Sequence, residues 1–166
     1  MQGRLIGKVL HIFTRDPALD RSTDEIATAT ASAVAKHNET GERGDLPLKN
    51  GRQPAVWSLL SLSERAYQAV TRTSLLEVQK VLPQGLRAIF DMPLYTIRRE
   101  AFRYGLVSVE NVTGLDGRPL KLEPETEAGV QVLAQKTVDE LFRLYGPHLI
   151  GEIGQRVIDL SELDPT

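Results

Sequence analysis

The chain has 166 residues, of which 41% are hydrophobic and 25% charged, with 20 basic and 22 acidic side chains and no cysteine. These values are typical of a single folded domain with its own core, and they exclude a disulfide scaffold, a thiolate nucleophile and zinc sites built on cysteine. The net charge of −2 gives no overall attraction to nucleic acid or anionic lipid, and the apolar runs are too short to span a membrane.

The first predicted element is a strand at residues 4–14. Its sequence, RLIGKVLHIFT, alternates two apolar sets and ends before the turn-forming pair Asp16-Pro17. Residues 16–54 then carry mostly small, polar and turn-forming side chains, with no sustained apolar face. This composition predicts a long arm or loop rather than part of the core.

A short helix is predicted within this arm, at about residues 24–36. Ser22 and Glu25 have the spacing of a capping box. A thin apolar stripe follows at Ile26, Ala29, Ala33 and Val34. Because so narrow a stripe buries little area, the helix is expected to need a neighbour, and we predict that Ile26 and Val34 contact a partner.

A second strand and two long helices are predicted next. The strand is AVWSLL, at residues 55–60. In the helix that follows, Ser61 and Glu64 form a second capping-box pair, and Pro83 marks the predicted end. Asp91 is the predicted cap of the next helix, whose apolar positions recur at helical spacing up to residue 104.

Residues 103–124, RYGLVSVENVTGLDGRPLKLEP, could either line a functional site or only turn the chain. Asp116-Gly117 is a strong turn signal, because both residues tolerate positive φ. The flanks LVSVENV and RPLKL are therefore predicted to pair as a small hairpin. Glu110 and Asn111 are predicted to satisfy backbone groups at this corner and not to form a site.

Two further helices are predicted after Pro124. Apolar residues recur at helical spacing from residue 130 to 144, Gly146 ends this helix, and Pro147 opens the next. In that last helix the segment GEIG, at residues 151–154, resembles a G-x-x-G nucleic-acid loop. Glycines within an apolar stripe more simply predict close packing of two helices.

The side chains give no strong signal for catalysis or metal binding. The three histidines stand in different predicted elements, and His148 with Glu152 makes half of a metal site that lacks the second histidine of H-E-x-x-H. The motifs of nucleophile elbows and phosphate loops are absent from the sequence. We therefore predict no catalytic residue, no metal and no cofactor.

One helix carries a local positive face. The segment IRREAFR is predicted to place Arg98, Arg99 and Arg103 on the outer side of the helix, where they could meet phosphates or an acidic partner. A solvated face without a partner is the alternative.

Three segments resemble small proteins from the structural gene modules of tailed bacteriophages. They are LPLKNGRQPAVWSLLSLSERAYQAV, EAFRYGLVSVENVTGLDGRPL and IGEIGQRVIDLSELDP, in that order, and the resemblance runs from Leu46 to the end and touches FTRDPALDR. The chain resembles the virion-associated and tail-assembly-chaperone-like proteins of this group. The resemblance implies a protein that binds other phage proteins, and it carries over no catalytic residue.

The sequence thus predicts an α+β protein, with a strand and extended arm at residues 1–54 and a mainly helical core with a small sheet or hairpin at residues 55–166. The expected function is non-enzymatic binding of other virion proteins, as a minor head or tail component of the particle. A tail-assembly chaperone absent from the particle and a DNA-binding accessory protein are the alternatives.

The expected partners are other phage structural proteins, with a second copy of the chain as an open alternative. Membrane binding is not expected and nucleic acid is disfavoured. The predicted partner-binding residues are Arg98, Arg99, Arg103, Ile26 and Val34. The expected location is the virion, and the host cytoplasm during assembly.

Overall fold

Helices and short strands make up the fold in a computed structural model, which describes residues 8–42, 44–81 and 86–163. The elements of these residues are β1 (Val9–His11), α1 (Asp24–Thr40), β2 (Val56–Leu59), α2 (Glu64–Val81), α3 (Leu86–Gly105), β3 (Leu106–Glu110), β4 (Pro124–Glu127), β5 (Val130–Leu133), α4 (Gln135–Tyr145) and α5 (Pro147–Leu163). The predicted α+β class, mostly helical with small sheets, is confirmed.

Strands β1, β2 and β3 form an antiparallel sheet in that order. His11 lies opposite Trp57, which lies opposite Val109, and a register shift follows Ser58. Because successive side chains of a strand point to opposite faces, Trp57 and Leu59 enter the same large core, where both are fully buried.

Helices α3 and α5 pack closely across this core. Phe102 of α3 and Ile153 of α5 are completely buried. The packing depends on Gly154, because a Cβ there would lie 2.0 Å from the backbone oxygen of Arg98. A Cβ on Gly151 would meet nothing within 4 Å. The predicted packing role of the GEIG glycines is therefore confirmed for Gly154 but not for Gly151.

The N-terminal segment contains the helix that the sequence predicts within the arm, and this helix is longer than predicted. Residues 24–40 form α1, and Thr23, not Ser22, caps it by accepting a hydrogen bond from the Ile26 amide. A second, smaller core forms from Ile12, Leu19 and Val34, with Leu46 and Leu48 packed against it. The chain returns on itself through an antiparallel bridge between Leu19 and Leu48, so the segment supplies part of its own burial.

Two polar side chains join this segment to the sheet. The side-chain amide of Asn38 accepts a hydrogen bond from the Ile12 backbone nitrogen at 2.8 Å and donates one to the Ile12 backbone oxygen at 3.0 Å. Asp16, which is buried, accepts from the amides of Ala18 and Ala55. Burial raises the pKa of Asp16, against the opposing effect of these two hydrogen bonds.

Helices α2 and α3 begin at positions that differ from the predicted ones. Ser63, not Ser61, caps α2, since its hydroxyl accepts a hydrogen bond from the Ala66 amide. Helix α3 begins at Leu86, so Asp91 lies inside it and is not its cap. The predicted end of α2 at Pro83 and the first part of the predicted strand, residues 4–7, lie outside the described residues.

The Asp116-Gly117 turn is present, but its flanks do not form the predicted hairpin. Gly117 has a φ of 82°, and the Gly114 amide donates to the Arg118 oxygen. Pairing of the flanks is limited to an isolated bridge between Thr113 and Pro119, because β3 pairs with β2 instead. Asn111 donates to the Pro54 oxygen at 3.1 Å, as expected for a residue that satisfies the backbone.

The predicted helix after Pro124 is wrong in its first half. Strands β4 and β5 form an antiparallel hairpin there, and Glu127 pairs with Val130 next to the turn. Ala128 and Gly129 have φ values of 52° and 75°, the positive angles of a two-residue primed turn. The helix proper, α4, begins at Gln135 and ends before Gly146 as predicted.

Candidate functional site

The structure separates the five residues predicted to bind a partner. Arg98 and Arg99 of α3 are partly exposed, and Ile26 of α1 is half-buried. Val34 is 1% exposed and Arg103 is 4% exposed, so neither side chain is free to contact a partner. The prediction was wrong on the exposure of these two.

Arg103 is buried because it neutralises a cluster of carboxylates under the β4–β5 hairpin. Its Nη1 lies 3.2 Å from Glu100 Oε2 and 3.1 Å from Glu127 Oε2, and its Nη2 lies 2.5 Å from Glu125 Oε1. Its Nε donates to the Leu133 oxygen. Burial opposes the charged form, but the nearby carboxylates outweigh burial and raise the pKa of Arg103.

The arginine network holds a helix to a hairpin and leaves little for a ligand. Glu100 is itself buried, and the Tyr104 hydroxyl donates to Glu127 at 3.2 Å. Burial, followed by the Glu127 charge, raises the pKa of Tyr104 to about 12. A buried pair of this kind fixes geometry, and loss of one partner leaves an uncompensated charge.

A cleft of about 650 Å³ lies between the end of β1, α3 and α5. We call it the arginine cleft, because Arg15, Arg98 and Arg156 line it. Tyr95 and His148 also border it. Of the predicted partner-binding residues, Arg98 lines this cleft, and Arg103 lines a smaller cavity of about 260 Å³ beside β5.

Glu152 forms one wall of the arginine cleft and is held by three donors. His11 Nε2 lies 2.7 Å from Glu152 Oε2, and Thr14 donates through its amide at 3.0 Å and its hydroxyl at 2.5 Å. Burial alone would raise the pKa of Glu152, but the hydrogen bonds from His11 and Thr14 hold it below its usual value.

The His11–Glu152 pair joins the end of β1 to α5. An ionised carboxylate can only accept, so His11 Nε2 donates to it. The other ring nitrogen, Nδ1, is buried and has no hydrogen-bond partner among the described residues.

The arginines of the cleft are held by neutral groups. Arg98 Nε donates to Gln155 Oε1 at 2.9 Å, and Gln155 in turn donates to Asp159. Arg156 Nη2 donates to the Asn38 oxygen at 3.0 Å. Of the side chains that the structure describes, no carboxylate forms an ion pair with Arg15, Arg98 or Arg156.

A second cavity, of about 660 Å³, lies between the Asp116 turn and α4. Lys136 forms an ion pair with Glu123 there. Glu140 accepts a hydrogen bond from the Leu115 amide at 2.8 Å. Asp116 serves the turn, because it accepts a hydrogen bond from the Arg118 amide at 3.0 Å.

His148 and Glu152 do not combine into a metal site. Glu152 is engaged by His11 and Thr14, and within residues 8–42, 44–81 and 86–163 no three potential ligands converge. None of the helices in the described ranges is long and apolar enough to cross a membrane.

Sequence reasoning missed the arginine cleft because its parts are far apart in the chain. His11 and Glu152 are separated by 141 positions, and Arg156 and Asn38 by 118. No local motif signals such contacts. Comparisons of the chain with protein families, curated proteins and solved structures find no match.

Proposed function

We propose that the protein is a non-enzymatic structural or assembly protein of a tailed bacteriophage, which binds other virion proteins as a minor head or tail component. The observation that carries the proposal is the resemblance of three ordered segments, from Leu46 to the end of the chain, to small proteins of phage structural modules. The tail-assembly chaperone is the nearest alternative, since it shares this resemblance.

The way in which the polar residues are used supports a binding role. Residues that would serve catalysis elsewhere have structural partners here: His11 binds Glu152, and Arg103 binds Glu100. The surface meanwhile exposes large apolar side chains at several places. They are Leu10, Leu60, Tyr67, Leu94, Val107, Leu115 and Phe142. Exposed apolar and aromatic groups of this kind are common at protein interfaces.

Mass spectrometry of purified phage particles tests the proposal. A virion component is expected at a constant number of copies per particle after density-gradient purification. A chaperone is expected in lysates, bound to a structural protein, and missing from the particles. If the chain co-purifies with neither particles nor structural proteins, the proposed function is wrong.

A DNA-binding accessory role is the second candidate, favoured by the arginines of the cleft. Three arginines on a chain of net charge −2 would displace few counterions, so binding to duplex DNA is expected to be weak at physiological salt. Fluorescence anisotropy with a labelled duplex measures this. Sub-micromolar, salt-sensitive binding that is lost in the Arg98→Glu, Arg99→Glu double variant would put this candidate first.

A further inference from the structure

We propose that the arginine cleft is the docking site for an acidic segment of a partner protein, whose carboxylate is held by Arg15, Arg98 and Arg156. This inference rests on the proposed function, because it assigns a surface and a partner chemistry to the protein binding proposed above. It differs from the predicted outer arginine face, since Arg103 lies elsewhere and Arg15 and Arg156 come from other segments.

The guanidinium groups are positioned but not saturated. A guanidinium has five N–H donors in a fixed fork. Arg98 uses its Nε on Gln155, and Arg156 uses one Nη2 donor on the Asn38 oxygen. These bonds restrain the two side chains. Arg156 Nε is buried, so a carboxylate would be bound by the Nη groups, with little further ordering of the side chains.

The carboxylates that line the cleft are already occupied by internal donors. Glu152 accepts from His11 and Thr14, and Asp159 accepts from Gln155. Three guanidiniums therefore share the cleft with two carboxylates, of which Glu152 accepts three hydrogen bonds within the protein and Asp159 accepts one. The remaining charge is positive and confined to the cleft, although the whole chain carries a net charge of −2.

The shape and charge of the cleft favour a protein segment over nucleic acid. The cavity of about 650 Å³ is of the size that holds small ligands, so it admits a few side chains of a peptide segment. A duplex is bound by a row of cations along its backbone, typically about 6–10 phosphate contacts, and here three arginines line the cleft. Glu152 and Asp159 would also repel neighbouring phosphates of a strand. A single acidic side chain avoids this repulsion.

The test uses the full chain and a short fluorescein-labelled oligoglutamate peptide as the probe, read by anisotropy at low and physiological salt. We expect salt-sensitive binding that weakens about 10-fold or more in the Arg98→Gln, Arg156→Gln double variant, as expected for lost charge-assisted hydrogen bonds. Arg118→Gln is the matched control, because Arg118 is exposed and lies in the Asp116 turn, outside the cleft.

A second variant controls for misfolding of the double variant. Arg98 and Arg156 bind other parts of the protein, so their loss could disturb the fold. Arg15 is exposed. We expect Arg15→Gln to weaken binding of the probe severalfold and to leave the circular dichroism spectrum and the Tm unchanged. If Arg15→Gln and the double variant bind the probe as tightly as Arg118→Gln does, the cleft is not the site.

Two outcomes separate this inference from the proposed function. An oligonucleotide of matched net charge that binds the cleft more tightly than the peptide would overturn the acidic-segment assignment. If the double variant folds, loses the probe and is still incorporated into particles at the normal copy number, the cleft is not the docking surface and the virion role stands. Loss of the probe together with loss of incorporation supports the inference.

Discussion

At the scale of single residues, Glu152 shows how one carboxylate can join distant parts of the chain. It accepts hydrogen bonds from His11 and from the amide and hydroxyl of Thr14, so α5 is tied to the end of β1. Its side chain is 24% exposed, which leaves these bonds partly shielded from solvent. The contribution of Glu152 to stability should therefore depend on its charge.

Replacing Glu152 by Gln tests this charge dependence. The pKa of Glu152 is below its usual 4.5 in the folded state, so its charged form stabilises the protein above that pH, and the contribution is lost as pH falls through the folded pKa. We expect Glu152→Gln to lower the free energy of unfolding by about 1–3 kcal/mol at pH 7. The difference should shrink toward zero at pH values well below 4.5, measured by urea unfolding across the range.

The pKa of Asp16 is shifted in the opposite direction from that of Glu152. The pH dependence of Glu152→Gln stability must therefore be compared with that of the wild type. The pKa of Asp16 is raised by burial, so its contribution is present below the usual pKa of 3.8 and is lost as pH rises through the folded pKa. Wild type and Glu152→Gln share this effect, so it cancels in their difference. A difference that stays constant with pH would contradict the assigned role of the Glu152 charge.

Loss of Arg103 should cost much stability. Arg103→Met would leave the buried Glu100 with Arg99, whose Nη2 lies 3.7 Å away, as its remaining cation among the described residues, and we expect a loss of about 3–5 kcal/mol in urea unfolding. The Glu100→Leu, Arg103→Met double variant should recover most of this loss, because no buried charge is left unpaired. Arg118→Met, at an exposed position, is the control and should stay within about 0.5 kcal/mol of wild type.

At the scale of elements, the contact between α3 and α5 depends on one glycine. A methyl group on Gly154 would collide with the Arg98 backbone, which cannot move aside as a flexible side chain can. Gly154→Ala should therefore destabilise the protein by about 1–3 kcal/mol or more. Gly151→Ala is the matched control in the same helix, and should stabilise it by about 0.5–1 kcal/mol, because its methyl meets nothing.

Thermal unfolding of the two glycine variants gives the comparison directly. The Tm of Gly154→Ala should fall and that of Gly151→Ala should rise. Equal shifts would mean that the two glycines act through helix propensity and that close packing of α3 and α5 is not decisive.

Elements with one strong local period could be predicted, and those with competing patterns could not. Helix α5 follows from Pro147 and the apolar residues at positions 150, 153 and 157, all fully buried. The β4–β5 hairpin was missed because Val130 and Leu133 fit the helical stripe of α4 as well as a strand. The neglected signal was Gly129, which a helix would not favour between two apolar segments.

The site was less predictable than the elements, for a physical reason. The sequence shows which residues are charged, but their exposure depends on partners elsewhere in the chain. Arg103 was expected outside, and it is buried because Glu125 and Glu127 come back to it from a hairpin 22 and 24 positions later. Similarly, Ser22 and Ser61 were predicted as helix caps, but the nearby Thr23 and Ser63 take these positions, because several serines and threonines near each helix start can serve as the cap.

At the scale of the whole molecule, the described residues contain two cores of unequal size. The larger includes Trp57, Phe102 and the buried face of α5, and the smaller is built on Ile12, Leu19 and Val34. Local opening is easiest where few apolar contacts must break. Residues 25–52 should therefore be the less stable part of the fold, despite the helix they contain.

Hydrogen exchange of the isolated monomer, followed by mass spectrometry, tests this difference in local stability. We expect the amides of residues 25–52 to exchange well before those of residues 130–160. The physical reason is the small area that α1 buries on the rest of the chain. Equal protection of both segments in a verified monomer would show that α1 unfolds together with the main core, and that it does not depend on a partner.

The tie between His11 and Glu152 also has a consequence during synthesis. A ribosome adds about 5–20 residues per second, so the end of β1 waits about 7–28 s before the 141st residue after His11 is made. Asn38, which pairs with the backbone of Ile12, follows it by 26 positions and is made within a few seconds. The small N-terminal core can therefore assemble on the nascent chain first and shelter Ile12 until α5 is available.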